Sequence, residues 1–391
     1  MKQSTPEQKH VKPSTRFGGQ IHSGKGKKIM THTPHITLND LCLLLHAGQA
    51  EQVLALLAEA PSLLPAERAY VRARAALGQE EWETLAACLL EAGAPGRDDY
   101  RAKTAGMTIR RRRSWLLWFL GNLALEIGRD EDAFGFYTRC LRHLDERRMN
   151  DPWLRARALC GRGAALLRMR SPQAALAEYE QAHELCQNMH LPDQLEIVMG
   201  LSEASLALDH LKEALAYGQQ ALQMVTDSQQ ERSLRVLLGA ICARQGEQAA
   251  AQSFYLEALR LAEFGGQPDS NQMVRILLAL ADLQCREGQT IEARTSCEQA
   301  LLYQEQCQAS TRGALYLVCG KLAQAETLSG EALGWYTKAV QQFSEAGQGA
   351  ELAEAHRLLA QMCESLGQQD QAVVHWRAAY QAHAGSDSLV V

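Results

Sequence analysis

The sequence predicts an all-α fold: a right-handed superhelical solenoid of antiparallel helix pairs. Three observations predict it. Four landmark positions recur seven times at fixed offsets along the last two-thirds of the chain. Ala, Leu, Gln and Glu, all good helix formers, dominate the composition, and no run of β-branched residues suggests a sheet. Glycine- and proline-bearing turns separate the helical stretches.

The elements follow in order along the chain. Residues 1–35 carry seven Lys or Arg and one Glu, with many Gly, Ser, Thr and Pro, and read as a disordered basic tail. Met30 offers an alternative start that would remove most of it. Within the tail, Gly19-Gln20-Ile21-His22-Ser23-Gly24-Lys25-Gly26 approaches a phosphate-binding loop. Gly26 stands where a Ser or Thr must ligate magnesium, and no apolar strand precedes it, so no nucleotide site is expected. His32 and His35 lack further ligands nearby.

Residues 36–108 read as degenerate helical repeats and a connection. Leu38 to Leu45 is apolar, Gly48 is a turn, and Val53 to Leu57 resumes the pattern. Ala69 to Leu77, Gly78, and Trp82 to Leu90 repeat the plan. The run from Gly93-Ala94-Pro95-Gly96 to residue 108 reads as a long connection.

Residues 109–383 hold the seven repeats. An alanine recurs at Ala133, Ala175, Ala214, Ala251, Ala293, Ala332 and Ala372. Four residues later stands Tyr137, Tyr179, Gly218, Tyr255, Cys297, Tyr336 or Trp376, and three beyond that Cys140, Ala182, Ala221, Ala258, Ala300, Ala339 or Ala379. Twelve residues before each alanine lies Gly121, Gly163, Ser202, Gly239, Ala281, Gly320 or Ala360. Helices cross closely only where side chains are small, and a ring from the second helix can fill the gap between pairs. The predicted turns are Gly128-Arg129-Asp130, Arg170-Ser171-Pro172, Gln245-Gly246-Glu247, Glu287-Gly288-Gln289 and Leu366-Gly367-Gln368. Asp151-Pro152 and Leu191-Pro192 mark breaks between pairs. Residues 384–391 read as a disordered C-terminal tail. No polar capping helix follows the last pair, so its final helix is expected to contact another copy of the chain.

This pattern resembles the tetratricopeptide repeat, best in Leu120-Gly121-Asn122-Leu123-Ala124 with Ala133 and Tyr137, and in Leu238-Gly239-Ala240 with Ala251, Tyr255 and Ala258. Successive alanine landmarks lie 42, 39, 37, 42, 39 and 40 residues apart, longer than the standard of about 34. Long repeats of this type are similar to the sensor regions of bacterial signalling regulators, among them the maltose-responsive activator and the peptide-pheromone-sensing regulators.

The resemblance implies a concave groove lined by the first helix of each pair, binding a protein or peptide segment. In this register it implies Trp115, Trp118, Asn122, Leu125 and Glu126 from the first pair, then Arg157, Ala164 and Arg168, then Glu196, Met199 and Glu203. Val236 and Arg244 follow, then Arg275, Asp282 and Arg286. Leu317, Lys321 and Gln324, and finally Glu354, Arg357, Gln361 and Glu364, complete the surface. Arg244, Arg275 and Arg286 are expected to form an arginine-rich centre that grips a carboxylate through forked donors. Asn122 fits one position of the carboxylate clamp of some co-chaperone repeats, but the accompanying lysines are absent, so a chaperone-tail receptor is not expected.

Composition excludes other classes. Beyond the tail the chain holds 33 basic and 44 acidic residues, and an acidic body argues against nucleic-acid binding. No apolar run is long enough to span a membrane, and the first 30 residues contain no apolar secretory segment, so a cytoplasmic location is expected. The 11 cysteines contain no C-x-x-C pair and read as buried free thiols. Arg110-Arg111-Arg112-Arg113 reads as a solvated or groove-edge basic cluster before the first repeat. His183, His190, His210, His356, His375 and His383 are scattered over separate helices, and no catalytic constellation, metal or cofactor is expected. The leading expectation is a non-catalytic scaffold; the alternative is a ligand-responsive signalling region acting through a separate effector.

Overall fold

The computed structural model describes residues 36–387, apart from 59, 61–62, 94, 148, 190–193, 265–269 and 347. The basic tail, its phosphate-loop-like stretch, and residues 388–391 lie outside the described residues. Among the described residues there are nineteen α-helices and no strand, and no helix is long and apolar enough to cross a membrane.

Two short pairs come first: α1 (Leu38–His46) with α2 (Ala50–Ala58), and α3 (Pro65–Gly78) with α4 (Trp82–Ala92). A capping box closes the start of α1, where the Thr37 side chain accepts from the Asp40 amide and Asp40 accepts from the Thr37 amide. The expected connection over residues 93–108 contains a helix instead, α5 (Arg97–Thr104). Asp98 and Asp99 in its first turn and Arg101 and Lys103 in its last complement the helix dipole. Tyr100 anchors it, buried and stacked on Phe119 at 5.5 Å between centroids.

Seven longer pairs follow. They are α6 (Ile109–Glu126) and α7 (Asp130–Glu146), α8 (Pro152–Arg168) and α9 (Pro172–Met189), α10 (Leu195–Ala207) and α11 (Leu211–Met224), and α12 (Ser228–Gln245) and α13 (Gln248–Phe264). Then come α14 (Ser270–Arg286) and α15 (Thr290–Leu301), α16 (Ala309–Ala325) and α17 (Ser329–Ala346), and α18 (Gly349–Ser365) and α19 (Gln369–Asp387). Every alanine landmark falls on the second helix of a pair and is at most 1% exposed. The last helix runs through the stretch expected to open the C-terminal tail.

The glycine and tyrosine landmarks explain one another. A Cβ on Gly121 would lie 2.7 Å from the Tyr137 ring, on Gly239 2.6 Å from that of Tyr255, and on Gly320 2.5 Å from that of Tyr336. Each ring thus fills the space its own pair leaves open. Tyr137 also meets the next pair, where a Cβ on Gly161 would come within 2.4 Å of it, and Tyr179 meets Gly200 in the same way. The second helix of one pair is thereby keyed into the first helix of the next.

The solenoid curves far enough to bring distant pairs together. Arg170 Nη2, in the α8–α9 turn, lies 3.1 Å from Glu351 Oε1 on α18. Of the basic cluster, Arg112 Nε donates to the Met107 carbonyl at 2.8 Å and Arg113 lies over the Trp82 ring at 4.7 Å. Arg113 thus ties α6 to α4, while Arg112 holds the turn before its own helix.

A half-buried carboxylate helps to dock the leading pairs on the first repeat. Asp132 accepts from Tyr70 Oη at 2.6 Å, Arg74 Nη1 at 3.1 Å and Arg129 Nε at 3.0 Å. Burial alone would raise its pKa, but the Tyr70 hydrogen bond and the two guanidiniums outweigh it, and the carboxyl is held below its usual range. A lowered folded-state value means stability that is full above the unfolded value and is lost as pH falls through the folded one. Asp132→Asn is expected to cost about 2 kcal/mol and to speed hydrogen exchange in α1–α4 selectively. The wild-type contact should weaken only at pH below about 4. Uniform exchange across the leading pairs and the repeats in the variant would contradict this docking role.

Candidate functional site

The first helices of three successive pairs, α6, α8 and α10, turn one face toward a common cavity of about 450 Å³. Trp118, Asn122, Leu125 and Glu126 line it from α6; Arg157, Cys160, Ala164 and Arg168 from α8; Glu196, Met199 and Glu203 from α10. Their spacings of three and four residues within each helix place them on one stripe. Tyr137 and Tyr179 form the floor, seated in the glycine gaps at Gly161 and Gly200.

One end is closed by the turn before α5. Gly96 has φ of +86°, and a Cβ there would stand 2.4 Å from Trp118 Cη2 and 2.8 Å from Asn122 Nδ2. Only glycine permits this approach. Asn122 is held at both ends of its amide: Nδ2 donates to the Pro95 carbonyl at 2.9 Å, and Oδ1 accepts from Tyr137 Oη at 2.7 Å. Burial pushes the Tyr137 phenol pKa well up, so the ring stays neutral and a donor.

The charges in the cavity are unevenly satisfied. Arg157 is paired with Glu196 at 2.6 Å, lies near Asp99 at 3.8 Å, and stacks over Trp153 at 5.3 Å. Arg168 donates to the Leu125 carbonyl at 2.5 Å and lies 3.4 Å from Asp130. Glu126 and Glu203 form no ion pair among the described residues. Burial raises the carboxyl pKa of both, with Arg168 partly opposing it at Glu203. Glu203 keeps an open surface toward the groove, but protein walls around it exclude much of the water that would stabilise its charge. The cavity therefore carries two carboxylates, both exposed toward the groove and partly shielded from water, that lack an ion-pair partner among the described residues, with Arg168 acting on Glu203 from a distance.

Of the residues expected in the groove, Trp118, Asn122, Arg168 and Glu203 come together here. Trp115 does not: it is 1% exposed, stacks on Trp153 at 5.3 Å, and donates its indole N–H to Asp151 at 3.1 Å. The next pair covers that face of α6, so Trp115 is a packing residue. The arginine-rich centre is also not assembled as expected. Arg244 is paired with Asp209 at 2.8 Å and Arg286 with Asp282 at 2.5 Å, which leaves Arg275 exposed and without an ion pair among the described residues. Lys321 is half-buried on α16 and Gln361 is exposed on α18. Arg357 forks onto Glu354 at 2.7 and 2.6 Å and lines a second cavity of about 660 Å³ with Arg170, Trp376 and Tyr380.

Sequence reasoning missed Gly161, Gly200, Pro95 and Gly96 as site-forming residues. Gly161 and Gly200 each stand two residues before a small-residue landmark, but no other pair has glycine there. Among the described residues no cluster of three or more His, Cys, Asp or Glu side chains could hold a metal. None of the 11 cysteines forms a disulfide among the described residues, and all but Cys88 and Cys285 are buried.

No protein-family model and no curated protein matches the sequence. Solved structures share the fold. The apo form of the quorum sensor NprR from B. thuringiensis superposes with a TM-score of 0.60 at 15% identity, covering 88% of this chain and 97% of that one. The Rap conjugation gene regulator of plasmid pLS20, in complex with the Phr* peptide, gives 0.54 at 13% identity over 90% and 95%. Aspartyl phosphate phosphatase F from Bacillus subtilis gives 0.54 at 14% identity over 88% and 92%. The likeness is one of fold, a tetratricopeptide-type solenoid.

Proposed function

We propose that this solenoid is a non-catalytic binding protein that takes a short peptide, or an extended segment of a partner protein, in its concave groove. The observation that carries this reading is the cavity on α6, α8 and α10 with two carboxylates, Glu126 and Glu203, that form no ion pair among the described residues and whose pKa values are raised. A carboxylate away from water is stabilised by a cation or by several N–H donors, and a peptide supplies both. Asn122 and Arg168 offer further polar groups, and Trp118 and Met199 offer apolar contact. Arg275, exposed on α14 and without an ion pair among the described residues, suits a carboxylate on the same occupant.

A sensor role, acting through a separate effector, is favoured by the Arg170–Glu351 contact. It ties the second repeat to the seventh, so an occupant that changes the pitch of the solenoid changes that contact. The NprR and Rap neighbours, named as a quorum sensor and as a regulator bound to a peptide, support this reading by analogy of fold.

Selection from a random library of short peptides against the full chain tests the proposal. Enrichment of peptides bearing Lys, Arg or a free amino terminus is expected, and recovery of no binder would overturn it. Arg275→Glu combined with Arg286→Glu is expected to weaken the selected peptides by about tenfold or more without lowering the unfolding midpoint. Unchanged affinity would confine the occupant to the first three repeats.

A further inference from the structure

In the seventh repeat the landmark ring is exposed. In earlier pairs the landmark ring is covered by the next helix: Tyr137, Tyr179, Tyr255 and Tyr336 are 1%, 3%, 4% and 0% exposed. The equivalent Trp376 is 38% exposed, and it stands beside Val373 at 56% and Tyr380 at 76%. Residues 373, 376 and 380 recur at spacings of three and four, which makes them one apolar stripe along α19. Trp376 is held in place, its indole N–H donating to Glu364 Oε1 at 2.8 Å. Trp376, Ala379 and Tyr380 face a cavity of about 660 Å³, whose other walls include Leu317, Glu351, Arg357 and Arg170.

We infer that the occupant of this stripe is the same stripe of a second copy of this chain, packed antiparallel about a twofold axis. The charges beside the stripe select that partner. Asp370 and Arg377 are both exposed, form no ion pair among the described residues, and lie seven residues apart on α19. That separation is two helical turns, about 10 Å along the axis. With Val373 as one core position and Trp376 as the next, Asp370 and Arg377 share the flanking position of successive heptads. In an antiparallel pair such flanking positions face each other. Val373 of one copy then packs on Trp376 of the other, and Asp370 of one copy meets Arg377 of the other. Both contacts occur twice, since a twofold interface repeats each contact with the copies exchanged. In a parallel pair the same flank would face the opposite flank of the partner helix, which carries Ala372 and Ala379, so neither charge would meet an opposite one. The stripe is thus complementary to itself in one orientation. Beyond Asp370 and Arg377, the described exposed surface of α19 adds no further acid or base to oppose that orientation. This inference is independent of the groove reading.

Sedimentation equilibrium of the full chain over a wide concentration range tests it. The wild type is expected to be a concentration-dependent dimer. Val373→Glu with Tyr380→Glu should raise the dimer dissociation constant by about 100-fold or more, with the helical content unchanged. Asp370→Arg alone, and Arg377→Asp alone, should each weaken the dimer by about tenfold, and the two together should restore it. Rescue by the double exchange is an outcome that mere loss of folding cannot produce. A wild type that stays monomeric at every concentration overturns the proposal. So does a dimer indifferent to all four substitutions, which places the contact on another face, or a monomer that binds an unrelated protein at Trp376.

Discussion

Replacing Gly200 by Ala is expected to destabilise the array by about 1–3 kcal/mol, against the ordinary trend of helix propensity. Within a helix the exchange usually stabilises by up to about 1 kcal/mol. At Gly135 and Gly334, where an added Cβ meets nothing within 4 Å, that gain is expected. At Gly200 the new methyl would stand 2.2 Å from Tyr179 Cε1, and the ring is 3% exposed with little room to move. Tyr179→Ala should cost about 3–5 kcal/mol, because it leaves a cavity where two pairs are keyed together. Combining the two substitutions should cost clearly less than their sum, since the methyl then occupies part of the vacated space. Denaturant unfolding of the four proteins reads this coupling. If Gly200→Ala stabilises as much as Gly135→Ala does, the ring is not wedged against α10. The consequence reaches the groove, because Tyr179 is part of its floor and a displaced ring would shift α8 against α10.

Much of the fold was legible because solenoid packing is local. Each pair buries its landmarks against its own partner helix and the next, so Ala133 and Gly121, or Ala332 and Gly320, reveal their spacing within forty residues or so of sequence. The helix α5 was hidden by a proline- and glycine-rich approach. One of its anchors, Tyr100 on Phe119, is a contact that periodicity does not report. Trp115 was placed on the groove because its position in the helix matched an inward-facing one, but Trp153 of the next pair covers it. The arginine-rich centre failed for a similar reason. Arg244 finds Asp209 across a pair boundary, 35 residues earlier, and neither helix alone shows that contact. Glu126 and Glu203 were each assigned to the groove from sequence. That they share one cavity and stay unpaired depends on the curvature of three pairs, which no local pattern encodes.

Those two carboxylates lead to the second large effect. Glu126→Lys with Glu203→Lys is expected to abolish binding of basic peptides, a loss of about 1000-fold or more. Each charge-assisted contact contributes about 1.5–3 kcal/mol, and reversal adds repulsion to its loss. The milder Glu126→Gln with Glu203→Gln should weaken binding by about 10- to 100-fold while leaving the protein as stable or slightly more so. That sign follows from the raised pKa of both groups: folding disfavours their charged forms, so removing the charge relieves desolvation. For the free protein, stability from these groups grows as pH falls through their raised folded values, the reverse of Asp132. For the complex the sign inverts. A bound cation favours the ionised carboxylates, so affinity should fall as pH drops, beginning above the ordinary glutamate value of 4.5. Proton release on binding at mildly acidic pH should accompany it, readable by calorimetry in two buffers of different ionisation enthalpy. A peptide that binds equally well from pH 4 to pH 7, with no proton released, is not held by Glu126 and Glu203, and its site lies elsewhere on the concave surface.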